Sequence, residues 1–218
     1  MQIKISAEQA QTNARIMETL AKDFPNPKSE LHFNSVYELL VAVILSAQCT
    51  DKRVNQVAPS LFALADTPEQ MADLPIEQIE NAIKPCGFYH NKAKFIKQSA
   101  KDIVERFGGQ VPCTIEELRT LDGVGRKTAN VVYAVGFGGQ AIAVDTHVFR
   151  VANRLGLASA KTVTETENQL MQAIPQTMWA DGHHYLLLHG RYVCKAQRPL
   201  CQNCSVQSLC KYYKGKNL

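Results

Sequence analysis

Lys127, in the stretch LDGVGRKTANVV (121–132), stands two residues after a Gly-Val-Gly turn, where an apolar helix begins. That is the positive end of a helix dipole, which disfavours an ammonium. The same field, with burial, lowers a lysine pKa, and an unprotonated amine is a nucleophile towards carbon. Lys127 is therefore a candidate Schiff-base nucleophile. A phosphate ligand also accounts for a cation here. Gly123 and Gly125 allow positive φ and leave amide groups uncovered where a helix starts at Arg126, an arrangement that holds phosphate. An ordinary glycine-capped turn between helices is the plainer account of the same residues.

A Schiff-base lysine needs a carboxylate partner. Asp145, in AIAVDTHVFRVANRLG (141–156), follows an apolar tetrad eighteen residues beyond Lys127. It stands at the N-cap position of the next helix, and an aspartate there needs no catalytic explanation. The short glycine-rich link between the two helices gives it a second role, because such a link can bring them together. His147 has two roles open, beside the reacting groups or on the helix surface.

Seven cysteines occur, and Cys194, Cys201, Cys204 and Cys210 form C-x6-C-x2-C-x5-C within 17 residues. Nothing in the sequence directs export to an oxidising compartment, so a metal centre is a better account than disulfides. Four thiolates suit tetrahedral zinc or a [4Fe–4S] cube. Structural zinc sites often use two C-x2-C knuckles and only one is present, which leans towards iron–sulfur without deciding it. Cys49, Cys86 and Cys113 lie in or beside helices and read as small buried apolar residues.

The elements that must position these groups are helices. VYELLVAVILSAQ (36–48) is apolar on nearly every face, as a buried central helix is. Pro59, Pro68, Pro75, Pro85 and Pro112 punctuate the chain beyond it at intervals suited to short helices. Residues 91–107 carry apolar positions at helical spacing, and Thr114 with Glu117 is a capping pattern for a helix over 114–121. Further helical patterns run over 146–155, ended by Gly156, then 164–174 and 178–189. No hairpin-and-alternation pattern persists, so the fold class is all-α.

The 218 residues suffice for one large domain or two small ones. The beginning MQIKISAEQAQTNAR lacks the apolar core of a signal peptide, and LLVAVILSA (39–47) is shorter than the ~20 residues a bilayer span takes. The reading is a cytosolic, soluble protein with no membrane partner. Net charge is only +4, but from Leu186 to Leu218 there are six basic residues and no acidic one: Arg191, Lys195, Arg198, Lys211, Lys214 and Lys216. Such a segment is either a solvated tail or a nucleic-acid footprint.

The hairpin motif resembles the helix-hairpin-helix element, which grips a DNA backbone without reading sequence. Together, LDGVGRKTANVV, VDTHVFR and the cysteine pattern resemble the endonuclease III family, bifunctional DNA glycosylases and abasic-site lyases for oxidised pyrimidines. ILSAQCTD (44–51), GFYHNKA (87–93) and LHGRYVC (188–194) extend the likeness over essentially the whole chain.

The resemblance implies a two-domain helix-hairpin-helix DNA glycosylase fold. A six-helix domain would cover about 29–139, with the hairpin at about 114–136. Residues 1–28 plus 140–218 would form a discontinuous iron–sulfur domain with its cluster loop at 194–210, and a DNA-binding cleft would lie between the domains. It further implies Lys127 as nucleophile, Asp145 as essential aspartate, and a [4Fe–4S] cluster on Cys194, Cys201, Cys204 and Cys210. Gln48 and Phe88 fall where the family inserts residues into the duplex; Phe88 departs from the leucine common there. Gly123, Gly125, Arg126, Lys195 and Arg198 would contact the DNA backbone. The implied partner is double-stranded DNA with a damaged pyrimidine or abasic site, cut on the 3′ side by β-elimination. A monomer in the bacterial cytoplasm, at the nucleoid, is the corresponding expectation.

Two rivals stand beside this. The adenine-mismatch glycosylase branch shares the hairpin and cysteines, but typically lacks the lysine and carries a further C-terminal domain. Lys127, and an end eight residues after Cys210, point away from it. A non-catalytic DNA-binding module with a zinc knot is the other, and it predicts a colourless protein.

Overall fold

The computed structural model describes residues 5–215, so Lys216 of the basic segment lies outside them. Among the described residues the chain is helical and contains no strand. After α1 (Ala7–Asp23) come α2 (Val36–Ser46), α3 (Asp51–Phe62), α4 (Pro68–Asp73) and α5 (Ile76–Ile83). Then come α6 (Tyr89–Phe107), α7 (Ile115–Leu118) and α8 (Arg126–Val131), which runs on into a π-helical turn, Val132–Gly136. The last four are α9 (Thr146–Leu155), α10 (Val163–Ala173), α11 (Trp179–Tyr192) and α12 (Lys211–Lys214).

These elements form two compact units. One is Ser29–Gly139, and the other joins the residues up to Lys28 to those from Gln140 onward. Each has its own apolar core. In the first, α2 is central: every residue from Tyr37 to Leu45 is buried. Each aliphatic side chain fully buried there contributes about 1.5–3 kcal/mol of apolar burial. Ser35 starts this helix by accepting the Glu38 amide on its Oγ at 3.1 Å. In the second unit, Val148, Val151, Ala152 and Leu155 of α9 are buried, the spacing of one helical face.

Three local expectations need correction. Pro59 lies inside α3 rather than between helices. Its missing amide costs one ladder bond, while Val57, Ala58 and Leu61 around it stay buried in the core. The helix expected over 114–121 is only α7, four residues long. Thr114 caps it as anticipated, accepting the Glu117 amide at 3.2 Å and donating to Glu117 Oε2 at 2.7 Å. Turns then begin at once: the Thr120, Leu121 and Val124 amides each reach back three residues. Cys113, read as buried, is exposed just before α7.

Candidate active site

The hairpin turn is built around Gly123, whose φ is +75°. A Cβ there would lie 2.7 Å from Cβ of Phe95 in α6. Gly125 does not use the freedom expected of it; it is extended at φ −80°, and a Cβ there meets nothing within 4 Å. Gly123→Ala should therefore cost about 1–2 kcal/mol from the left-handed backbone alone, with the Phe95 clash added. Gly125→Ala should change stability by less than about 0.5 kcal/mol. Denaturant unfolding of the two variants checks the contrast; equal losses would contradict it.

Gly125 is the N-cap of α8 and has no side chain to cap it. The amides of Gly125, Lys127 and Thr128 have no hydrogen-bond partner among the described residues. They form a cradle open to an anion. Arg126 and Lys127 are both exposed beside it. The burial expected around Lys127 is thus absent, and its Nζ makes no hydrogen bond or ion pair among the described residues.

Gln48 and Phe88 belong to the same unit and are close in space. A Cβ on Gly87 would lie 3.9 Å from the Gln48 carbonyl oxygen. Below them, Lys92 is buried and donates from Nζ to the Leu45 carbonyl at 2.8 Å, tying the end of α2 to the start of α6. Both residues hold left-handed backbones, φ +53° for Gln48 and +58° for Phe88. Phe88 is 66% exposed. A bulky residue at positive φ costs energy, and such strain persists where a side chain is held for a task.

Asp145 lies in the other unit, half-buried at the N-cap of α9. Its Oδ1 accepts both the His147 and Val148 amides at 2.8 Å. Its Oδ2 has no hydrogen-bond partner among the described residues. Capping occupies one oxygen and leaves the other for chemistry. His147 Nδ1 lies 3.2 Å from an Arg150 guanidinium nitrogen.

The helix that Asp145 caps also holds the cysteine loop, which sequence reasoning missed. Arg150 donates to the carbonyls of Cys194 (3.0 Å) and Gly190 (2.9 Å). One turn later, Arg154 donates to the carbonyls of Lys195 (2.7 Å) and Ala196 (3.1 Å), with its guanidinium 4.6 Å from the Tyr212 ring. The i, i+4 arginine spacing was the available signal. Lys195 and Arg198 are exposed on this loop, and Arg198 holds φ +50°.

Cys194, Cys201, Cys204 and Cys210 all line one pocket, walled also by Leu155, His189 and Tyr212. Among the described residues, no three His, Cys, Asp or Glu side chains converge as a single-ion site. Burial, then the nearby Cys210, Cys194 and Cys201, push the Cys204 thiol up to about 11. Burial likewise raises Cys210. Burial pushes His189 down to about 4; its Nδ1 is unpartnered and its Nε2 lies 3.7 Å from Cys204 Sγ.

Residues 41–176 match the HhH-GPD superfamily of base excision DNA repair proteins. Endonuclease III of Rickettsia conorii is 48% identical over 94% of this chain and 98% of its own. The Escherichia coli K12 protein of that name is 44% identical over 90% and 93%. The chain belongs to the endonuclease III family. Membership makes it a base-excision DNA N-glycosylase with abasic-site lyase activity. A solved structure of a trapped endonuclease III–DNA covalent intermediate superposes with a TM-score of 0.90 at 43% identity, covering 96% of this chain and 99% of the other. A thermostable thymine-DNA glycosylase, 23% identical, shares the fold at a TM-score of 0.86, covering 94% and 98%.

Proposed function

We propose that this endonuclease III-family enzyme removes oxidised pyrimidines from duplex DNA through Lys127 as nucleophile and Asp145 as its carboxylate partner. The observation that carries the reading is Asp145 itself, capped on Oδ1 and unoccupied on Oδ2. A relative trapped as a covalent intermediate with DNA supports a covalent step.

The target base is out of reach inside the stack, so its nucleotide is flipped out. Gln48 and Phe88 fill the gap, their strained turns holding them outward. The amides of Gly125, Lys127 and Thr128, with Arg126, hold backbone phosphate, and Lys195 and Arg198 hold more. Asp145, ionised, stabilises positive charge growing on the sugar and assists the activation of Lys127, whose ammonium proton goes to water. Lys127 Nζ then bonds to C1′, and the C1′–N bond to the base breaks, the base leaving with a proton. Opening of the sugar gives the Schiff base. Loss of a C2′ proton expels the 3′ phosphate, and water releases Lys127. Because Lys127 is exposed in the chain alone, exclusion of water by bound DNA is part of its activation.

The four cysteines fit a [4Fe–4S] cluster. They line one pocket, and burial with their mutual repulsion disfavours thiolates there unless a cation lies among them. The cluster supplies structure: it holds the loop carrying Lys195 and Arg198, which Arg150 and Arg154 link to the helix of Asp145. The Ser29–Gly139 unit, which holds seven helices, α2 to α8, rather than the six expected, is then the helix-hairpin-helix domain and the other unit the cluster domain, acting as a monomer in the bacterial cytoplasm at the nucleoid.

A 5′-labelled duplex with one thymine glycol tests the reading. Strand cleavage without alkali, leaving a 3′ unsaturated aldehyde, is expected. Cleavage only after alkali would contradict the lyase step. The native protein should be brown, and Cys204→Ala should lose the visible absorption and at least tenfold in duplex affinity. A colourless native protein with bound zinc would contradict the cluster.

A further inference from the structure

Cys49 and Cys86 are 37 residues apart in sequence, yet their sulfurs lie 3.7 Å apart, with the Cys49 thiol donating to Cys86 Sγ. Both are reduced. Cys49 follows Gln48, and Cys86 stands two residues before Phe88, so the pair joins the two left-handed turns at their bases. We propose that Cys49 and Cys86 are a reversible oxidation site, whose disulfide draws these turns together and switches off base removal. The consequence for activity rests on the reading of Gln48 and Phe88 as the residues inserted into DNA.

The environments of the two sulfurs differ as such a pair requires. Cys49 is partly exposed and can meet an oxidant, while Cys86 is 1% exposed and can resolve what forms. Burial, then the contact with Cys49, pushes the Cys86 thiol up to about 11, while Lys92 and Arg53 act in the opposite sense. Modification of Cys49 removes the hydrogen bond and like charge that disfavour the Cys86 thiolate. The co-reactant is a low-molecular-weight disulfide. The Cys49 thiolate attacks one of its sulfurs and releases one thiol. The Cys86 thiolate then attacks the Cys49 sulfur and releases the second, so the two protein thiols are oxidised and the small disulfide is reduced to two thiols.

A disulfide is about 2.05 Å long, so the sulfurs must close by roughly 1.7 Å. The frame beneath resists, because the Lys92–Leu45 bond ties α2 to α6. The movement falls on the turns at Gln48 and Phe88, which are already strained. Misplacement of about 1 Å near a reacting group can cost 100-fold in rate. Disulfides in a reducing compartment are usually transient and redox-sensing.

The test is incubation of the cluster-loaded enzyme with glutathione disulfide, then peptide mapping and single-turnover cleavage of the thymine glycol duplex. The result expected is a Cys49–Cys86 linked peptide, at least a tenfold fall in cleavage, recovery with dithiothreitol and unchanged visible absorption. Cys49→Ser and, separately, Cys86→Ala should keep their starting rates under the same treatment. Absence of the linked peptide, or full cleavage by linked enzyme, would overturn the proposal. Failure of the underlying reading of Gln48 and Phe88 is distinguishable, since a fully reduced Phe88→Ala enzyme would then cleave at the wild-type rate.

Discussion

Lys127→Ala is expected to leave the fold and duplex binding nearly intact while strand cleavage falls by at least about 1,000-fold, the scale of losing a covalent nucleophile. The fold survives because the side chain is exposed and its ammonium makes no hydrogen bond or ion pair among the described residues. Binding survives because the amides of Gly125, Lys127 and Thr128 belong to the backbone, which an alanine keeps. Lys127→Arg sharpens the test. Arginine keeps the charge that a phosphate ligand needs but stays protonated, so it cannot act as the amine. Both variants should be inactive in single-turnover cleavage. Recovery of activity in the arginine variant would mean that Lys127 only holds phosphate.

The second large effect is at Asp145. Asparagine keeps the oxygen that accepts the His147 and Val148 amides and removes the negative charge. Asp145→Asn should therefore unfold within about 1 kcal/mol of the wild type, asparagine being an equal N-cap. Its cleavage should fall by about 100- to 1,000-fold, the range for losing one preorganised electrostatic group. Asp145→Ala should add a stability loss of about 1 kcal/mol from the missing cap. Single-turnover rates set beside denaturant midpoints separate the two roles. An Asp145→Asn enzyme of full activity would reduce this residue to its cap.

What was legible in the sequence is what depends on neighbours along the chain. The apolar run of α2, the Thr114 cap and the bounds of α9 between Asp145 and Gly156 stem from spacing and local chemistry. The all-helical class and the family were legible as well. The misses involve contacts between distant residues or competition within a turn. A short α7 and an extended Gly125 result from successive turns that take up the backbone before a longer helix can form. The exposure of Lys127 depends on packing that no local pattern encodes. Cys49 and Cys86, each plausible alone as a small apolar residue, become a pair only when α2 and α6 are tied by Lys92. Arg150 and Arg154 find carbonyl partners about 40 residues away, which no local pattern encodes.

The most direct measurement is reductive trapping. Wild type and Lys127→Ala are each incubated with a duplex carrying one thymine glycol, borohydride is added, and covalent protein–DNA adduct is resolved on a denaturing gel. The adduct should form with the wild type, map to Lys127, and be absent from the variant. No adduct from a wild-type enzyme that binds the duplex and retains its brown colour would contradict the Schiff base.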